Sequence, residues 1–544
     1  MVNKTLIFLL VTSLSFNVTF LYSFLMFPNC LQEKPETNWS NIYPIPKVRN
    51  RNDKQASLSV GISKTSPKDQ FTLVKARSLI KGAYSEAIEV NEFVRKYFRK
   101  DMDLTKKAAL EEDYLTNYLP FNDLTRKMKF LVDVIHNESQ KELSDLGNEV
   151  QKRIHKLQNP SDCKTAKKLV CKFPYCGLGC QYHHIGNCLL AALGTNRVML
   201  VDYSSVRYPG IRKVFLPLSD TCSMEDLQKQ VEEWKGELQE SYEHIQVVRL
   251  DVRHEPSRNT RFKGLTVPKF LQEKIEFLHD DPNMWWIGQI MGYLLRPSPR
   301  ISVKVQEIKK KLNLTHPYVS IHVRRTDKLI EEARKFEIEE YMTLYLQDPV
   351  VAWYDSQVGN ACNYTRRVYV ASDDLANVIP DARNKYPNYD FVYNAVDDKK
   401  LLKDMKQTVQ SRQTEDELVA IVCDLMILSQ SDYFVGTYSS NVGRLITQLM
   451  HSSSDATYRS RSIDHRMFYH GGLPLTYRAV EDFSGGKGEL SFSAGETIVL
   501  TSSVEFPSYK GFGRNEAGHE GSFPMHKVEQ TLTFVQYLAL NDIF

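Results

Sequence analysis

From Pro160 onward, short apolar runs of strand length alternate with segments of helical or turn character, and that alternation restricts the chain to α/β architecture. The predicted strands are Arg197 to Val201, Ile245 to Leu250, Tyr318 to Arg324, Arg367 to Ala371, Asp390 to Tyr393 and Asp432 to Thr437. Between the last two, Thr414 and Glu417 form a capping box opening a helix with Leu418, Ile421, Val422, Leu425 and Leu428 on its apolar face. Strand, helix and strand in that order predict a parallel sheet, which takes ligands at the carboxyl ends of its strands. Residues that end these runs are therefore the first candidates for chemistry.

The N-terminal part obeys other rules. No charge falls between Thr5 and Phe27, a run long enough to span a bilayer, which takes about 20 apolar residues. A cleaved signal peptide would have an apolar region of about 7 to 15 residues and a small-residue cleavage site, which this run lacks. The expectation is a cytoplasmic tail at 1–4 and a transmembrane signal anchor at 5–27, with Lys4 inside and the bulk of the chain luminal. Residues 28–70, with Pro35, Pro44, Pro46 and Pro67, have the composition of a stalk. Over 71–159, Leu124, Met128, Leu131 and Ile135, then Leu143, Leu146, Val150, Ile154 and Leu157, recur at intervals of three and four residues. A coiled-coil stem that makes a homodimer and a helical hairpin packed on the chain's own globular part both satisfy that pattern.

Six of the nine cysteines lie between Cys163 and Cys222, the usage of an oxidising compartment. Sequons at Asn38, Asn137, Asn313 and Asn363 are compatible with it. The arithmetic does not choose among the many pairings, and a zinc site on Cys171, Cys176, Cys180 and His183 or His184 fits no common ligand spacing. The balance of 70 Lys+Arg against 66 Asp+Glu, net +4, falls short of a nucleic-acid binder's footprint, so an anionic ligand must be met locally. Near the C-terminus, Tyr477, Phe483, Glu489 to Phe492, Gly495-Glu496 and Gly518 to Pro524 resemble an SH3 barrel without the Trp of its peptide groove.

The sharpest local signal is His322-Val323-Arg324-Arg325-Thr326-Asp327-Lys328 at the end of a predicted buried strand. Guanidinium forks suit phosphate oxygens and Lys adds a mobile charge, so this loop can hold a diphosphate; a solvated basic turn is the plainer reading. Asp373 and Asp374 end the next predicted strand, placed either to order the basic loop or to cap the following helix. Trp285 and Trp286 are expected to pack in the core rather than carry sugar. The D-x-D at Asp101 to Asp103 falls in the stem, so no metal-dependent nucleotide-sugar site is expected.

The HVRRTDK run followed by Glu332 resembles the donor-binding motif of the eukaryotic α-1,6-fucosyltransferases. Cys176-Gly177-Leu178-Gly179-Cys180, Asp281-Pro282 with Trp285-Trp286, Val368 to Asp374, Lys385 to Tyr389 and Leu428 to Asp432 follow in the family's order. The resemblance implies a two-part Rossmann-like glycosyltransferase core, split as an α/β subdomain at 160–315 and a donor-binding subdomain at 316–472, then an SH3-like domain at 473–535 and a tail at 536–544. It implies a Golgi enzyme moving L-fucose from GDP-fucose to the 6-hydroxyl of the innermost GlcNAc of an N-glycan, with no cofactor or metal. Arg324 is similar to the arginine holding the donor's β-phosphate, with Arg325 supporting it and Asp327 in the same loop. His322 and Asp424 match positions near the guanine, Tyr208 the ribose, and Ser440 the phosphates, with Gly177 and Gly179 in the loop facing them. Glu332 resembles the general base and Lys328 its neighbour, although Glu331, Glu332, Glu337, Glu339 and Glu340 also read as a solvated acidic face. Disulfides Cys163–Cys222, Cys171–Cys188 and Cys176–Cys180 are implied with it.

The chain departs from the family at three places. Gly436 and Gly443 stand where a cysteine pair is usual, which frees the backbone beside Ser440 unless another bridge such as Cys362 with Cys423 compensates. Ile330 replaces a small residue before Glu332. A GDP-fucose transferase with another acceptor and an impaired glycan-binding scaffold are the competing expectations.

Overall fold

The computed structural model describes residues 140–540 apart from positions 205, 228–230, 235–241, 251–261, 263–265, 280, 326–334, 343–349, 351–352, 355–364, 395–413, 458, 465–474 and 502–509. All of them fall in one unit, Lys64–Gly359 with Thr365–Phe544. The predicted anchor, stalk and stem up to residue 139 lie outside the described residues. Among those described, no helix is long and apolar enough to cross a membrane.

Two parallel sheets form the α/β part. The first runs β2-β1-β4-β3, from β1 (Lys168–Lys172), β2 (Val198–Asp202), β3 (Glu232–Trp234) and β4 (Val247–Leu250). The second runs β10-β9-β6-β7-β8, from β6 (Val319–Val323), β7 (Arg366–Ser372), β8 (Tyr389–Val392), β9 (Tyr433–Gly436) and β10 (Ser460–Ser462). Every residue of β6 is buried, as expected of a strand covered on both faces. All six predicted strands are present within a residue or two of their predicted ends. Strand β1, unforeseen, reads KLVCK, and its flanking lysines hide it: Lys168 is nonetheless buried, its ammonium donating to the carbonyls of Cys163 and Ala166.

Helix α1 (residues 140–158) settles which of the two stem patterns applies to its own length. Leu143, Leu146, Val150 and Ile154 are buried in the chain's own core, each such side chain contributing about 1.5–3 kcal/mol. Gln151 donates to the Gln289 carbonyl at 2.8 Å and Gln140 to that of Ser453 at 2.7 Å. That stretch of the predicted coiled-coil seam is occupied by intramolecular packing, so it cannot also pair with a second copy.

Helix α2 (Leu178–Gly194) follows β1 and is fastened by two disulfides, Cys171–Cys188 and Cys176–Cys180; Cys163–Cys222 closes a longer loop. These are the pairs the resemblance implied, and they leave Cys171, Cys176 and Cys180 without thiolates for zinc. Helix α3 (Pro282–Leu294) starts at an Asp281 side chain accepting from the Met284 N–H at 2.9 Å, with proline at the first position, where its missing N–H is harmless. Trp285 and Trp286 are fully buried, in packing roles. Helices α4 (Pro299–Lys311), α5 (Ile338–Met342), α6 (Leu375–Lys385), α7 (Glu415–Ser429) and α8 (Asn441–Ser453) also belong to the α/β part, beside two short helices at Ile211–Val214 and Gln272–Leu278. Thr414 caps α7 through the Glu417 N–H at 3.3 Å.

The C-terminal strands β11 (Thr476–Ala479), β12 (Thr497–Leu500), β13 (Lys510–Asn515), β14 (Glu520–Pro524) and β15 (Val528–Gln530) form an antiparallel sheet of order β14-β13-β12-β11-β15, with its own core around Leu490, Ile498 and Phe523. The chain then returns. Strand β16 (Thr533–Val535) pairs in parallel with β5 (Thr266–Pro268), and Tyr537 and Leu540, expected in a tail, are fully buried. Tyr537 packs edge-on against Trp286 and its hydroxyl lies 3.0 Å from Thr266 Oγ1.

Helix α8 crosses α3 at Gly288, where a Cβ would lie 2.7 Å from the Gln448 carbonyl oxygen and 2.8 Å from the Ser452 nitrogen. Neither backbone atom can swing away. Gly288→Val is expected to destabilise by about 1–3 kcal/mol and lower the thermal midpoint. Gly292→Ala, which meets only the Ser452 side chain at 3.2 Å, should shift it far less. Equal midpoints in a thermal melt would contradict the close crossing.

Candidate active site

The ends of β6 and β7 bring the basic segment and two carboxylates together. Asp373 accepts from the guanidinium of Arg324 and, at 2.9 Å, from the Arg325 N–H. Asp374 occupies the N-cap of α6 without capping it and bonds Asn377 Nδ2 at 2.6 Å. The alternative left open in sequence therefore resolves for Asp373, which orders the strand end. Arg325 is buried and reaches the Phe336 carbonyl at 3.2 Å and the carboxylates of Asp374 and Glu337, both at 3.4 Å. It braces the turn from within, whereas Arg324 keeps 22% of its side chain exposed.

Two buried groups of the same subdomain lean neutral. Burial, then the charge of Arg324, lowers the His322 imidazole to about 4, partly opposed by Asp373, so the ring is uncharged at neutral pH. Its Nδ1 has no hydrogen-bond partner among the described residues. Asp424 on α7 accepts from the Tyr369 hydroxyl at 2.6 Å and from Asn394 Nδ2 at 3.3 Å. Burial raises its carboxyl to about 7 despite both bonds.

The N-termini of two helices also meet. Gly177 is the N-cap of α2 and Ser440 that of α8, and neither has a side chain bonded to its helix's first N–H groups. A Cβ at Gly177 would meet nothing within 4 Å, so the position opens onto space. A Cβ at Gly179 would lie 2.7 Å from the Asn441 backbone carbon. Its missing side chain thus serves helix–helix approach. The Tyr208 hydroxyl accepts from the Leu178 N–H at 3.2 Å and ties a third segment to this corner. Aligned N–H groups and the positive ends of two helix dipoles favour an anion between them.

Asp327, Lys328 and Glu332, with Ile330, lie outside the described residues. Tyr341 on α5 escaped the sequence reading: its hydroxyl is buried without a partner among the described residues, and burial beside Asp464 pushes it well up. A tyrosine in a short acidic helix carries no local pattern that marks it. His279, His451 and Asp455 cluster with ligand atoms within 4.8 Å. His279 Nδ1 accepts from the Asp281 N–H at 2.9 Å, which puts its proton on Nε2, 3.0 Å from His451 Nδ1. A protonated ring nitrogen is a donor and not a ligand, so this trio is a buried hydrogen-bonded joint.

A family model described as alpha-(1,6)-fucosyltransferase N- and catalytic domains matches residues 45–469. The chain belongs to the alpha-(1,6)-fucosyltransferase family. An alpha-(1,6)-fucosyltransferase of Drosophila melanogaster is 35% identical over 397 residues, covering 72% of this chain and 61% of its own length. One of Caenorhabditis elegans is 30% identical over 416 residues, covering 74% and 71%. This chain thus matches about three-fifths of the Drosophila relative's length. A solved structure of POFUT1 with GDP-fucose overlays 56% of this chain and 98% of that one at 14% identity and a TM-score of 0.32, too loose to bear on either fold.

At the cysteine pair usual in the alpha-(1,6)-fucosyltransferases, the two glycines are not slack. A Cβ at Gly443 would lie 2.2 Å from the Thr437 carbonyl oxygen, and one at Gly436 2.5 Å from the Phe434 ring. The freed backbone expected from sequence is instead a tightly packed turn. Cys423 is a free, buried thiol, and Cys362, the suggested bridge partner, lies outside the described residues.

Asp424 gives a pH signature. Its carboxyl is neutral in the folded chain up to about pH 7 but ionises near its ordinary 3.8 when unfolded. The stabilisation is full below the lower value and is lost as pH rises through the upper one. Asp424→Asn should flatten the fall in thermal midpoint between pH 4.5 and 7.5 and be the more stable form at pH 8. Parallel curves for the two proteins would show that another group titrates.

Proposed function

We propose that this chain is an inverting glycosyltransferase that moves L-fucose from GDP-fucose to the 6-hydroxyl of the innermost GlcNAc of an N-glycan. The observation that carries the donor half is the meeting of the α2 and α8 N-termini, with α8 following β9, the neighbour in the sheet of β6, whose carboxyl end leads into Arg324. A diphosphate there is met by backbone N–H groups, the Ser440 hydroxyl and a guanidinium fork held by Asp373. Neutral His322 and the carboxyl of Asp424 suit the hydrogen-bonding edge of guanine, and Tyr208 lies on the ribose side.

In this reaction the acceptor O6 attacks the anomeric carbon of fucose, Glu332 takes the O6 proton, the C1–O bond breaks and GDP leaves. Lys328 interacts with that carboxylate and the reacting groups, and Asp327 belongs to the same loop. Arg324 and the helix termini neutralise the leaving diphosphate, so no metal is required. The acceptor assignment rests on family membership.

The remaining parts follow the same reading. Residues 5–27 anchor a type II Golgi membrane protein with a luminal catalytic region, where the three disulfides persist. The C-terminal sheet is an SH3-like accessory module, and a homodimer through the stem rests on residues before α1.

Glu332→Gln should retain GDP-fucose binding and lose about 10² to 10⁴ in transfer rate, while Glu331→Gln stays active. Assays with truncated N-glycan acceptors check both. Equal, near-normal rates would return Glu332 to a solvated acidic face. Transfer should also persist in excess EDTA; loss restored by manganese would overturn the metal-independent mechanism.

A further inference from the structure

The turn between β9 and α8, which presents Ser440, is held by a residue 24 positions further on. Asp464 Oδ1 accepts from the Tyr438 N–H at 2.7 Å and its Oδ2 from the Ser439 N–H at 3.2 Å. The Ser462 hydroxyl donates to Oδ1 at 2.8 Å. The carboxylate is buried at 7% exposure. Two successive backbone N–H groups converging on one anion form the kind of concavity that otherwise binds phosphate.

Charge balance comes from the next turn of the same helix. Arg444 is buried at 1% exposure, and Asp464 opposes the desolvation that pulls its guanidinium down to about 9, so it stays charged at neutral pH. Arg444 also bonds Asn441 Oδ1, at the first residue of α8. The Tyr438 hydroxyl accepts from Thr447 Oγ1 at 3.2 Å, closing the turn onto the helix. Three bonds to the turn and one cation on the helix thus set where the α8 N-terminus points.

We infer that Asp464 is a positioning residue for the donor: it fixes the phosphate-facing end of α8 by hydrogen bonds, at the place where the family pattern has a cysteine pair. The glycines make this arrangement self-consistent. With a Cβ at Gly443 falling 2.2 Å from the Thr437 carbonyl oxygen, a cysteine side chain has no room in this turn, and the Asp464 carboxylate is what accepts from its two successive N–H groups. The inference rests on the donor site proposed above.

The test uses the full chain and its Asp464→Ala and Asp464→Asn variants, with calorimetry of GDP, Michaelis constants for both substrates, and deuterium exchange of the peptide spanning 437–443. Asp464→Ala should weaken GDP about tenfold and raise the GDP-fucose Michaelis constant in step, with that of the acceptor unchanged and exchange in 437–443 faster. Asp464→Asn keeps one acceptor oxygen and should fall between. Unchanged GDP affinity and exchange overturn the inference. So does equal weakening of donor and acceptor with a lowered thermal midpoint, the mark of general loosening. A wild-type chain that fails to bind GDP refutes the donor site itself and this inference with it, an outcome distinct from variants that match a GDP-binding wild type.

Discussion

Gly179 lets the first turn of α2 touch the first residue of α8, and the position of almost everything in the site follows from that approach. Helix α2 belongs to the sheet of β1, and α8 follows β9 in the other sheet. Any side chain at 179 would lie 2.7 Å from the Asn441 carbonyl carbon and push the helices apart. His183 Nε2 lies 3.0 Å from Gln448 Oε1 further along the same pair of helices, and Gly288 permits α3 to cross α8 as closely. One helix is thereby gripped from two sides. Its N-terminus cannot drift relative to that of α2, so the first turns of the two helices, with the Leu178 N–H bonded to Tyr208, stay side by side.

That rigidity matters because helix-terminus electrostatics are short-ranged. Each terminus contributes about 0.3–1 kcal/mol to a nearby anion at an exposed site, and the effect falls off within a turn. Two termini reinforce one another only while both lie within that distance. Burial holds Asp424 protonated up to about pH 7, so that carboxyl adds no negative charge, while the His322 imidazole, also neutral, neither opposes nor reinforces the termini. The charged carboxylates nearby are spoken for, Asp373 by Arg324 and the Arg325 N–H, Asp464 by the turn before α8.

The parallel strands were legible because Val-, Ile- and Phe-rich runs between polar segments have no other stable use in an α/β chain. The basic strand end was legible because Arg324 and Arg325 directly follow a wholly buried run. What stayed hidden needed a partner distant in sequence. Strand β1 looks too charged until the carbonyls of Cys163 and Ala166 are brought to Lys168. Gly443 reads as flexible, and Gly179 as part of an anion-facing loop, until Thr437 and Asn441 fill the space beside them. The heptad pattern of α1 specifies that an apolar face will be covered but not by what, and its own core covers it. Tyr341 and Asp464 have no local signature, since their environments are assembled from separate elements.

The Arg324 and Asp373 pair sets the terms on which an anion enters. Asp373 holds the guanidinium in place, yet its negative charge opposes a diphosphate arriving at the same fork. A carboxylate that only competed would weaken binding, but this one also accepts from the Arg325 N–H at 2.9 Å and so cannot follow Arg324 if the guanidinium turns toward a ligand. Arg325, buried against Phe336 and Asp374, anchors the backbone between them. The fork therefore has one fixed side and one partly exposed side. A ligand that presents two oxygens to the exposed side gains charge-assisted bonds without Asp373 having to leave, and the pre-set fork reduces the conformational entropy lost on binding.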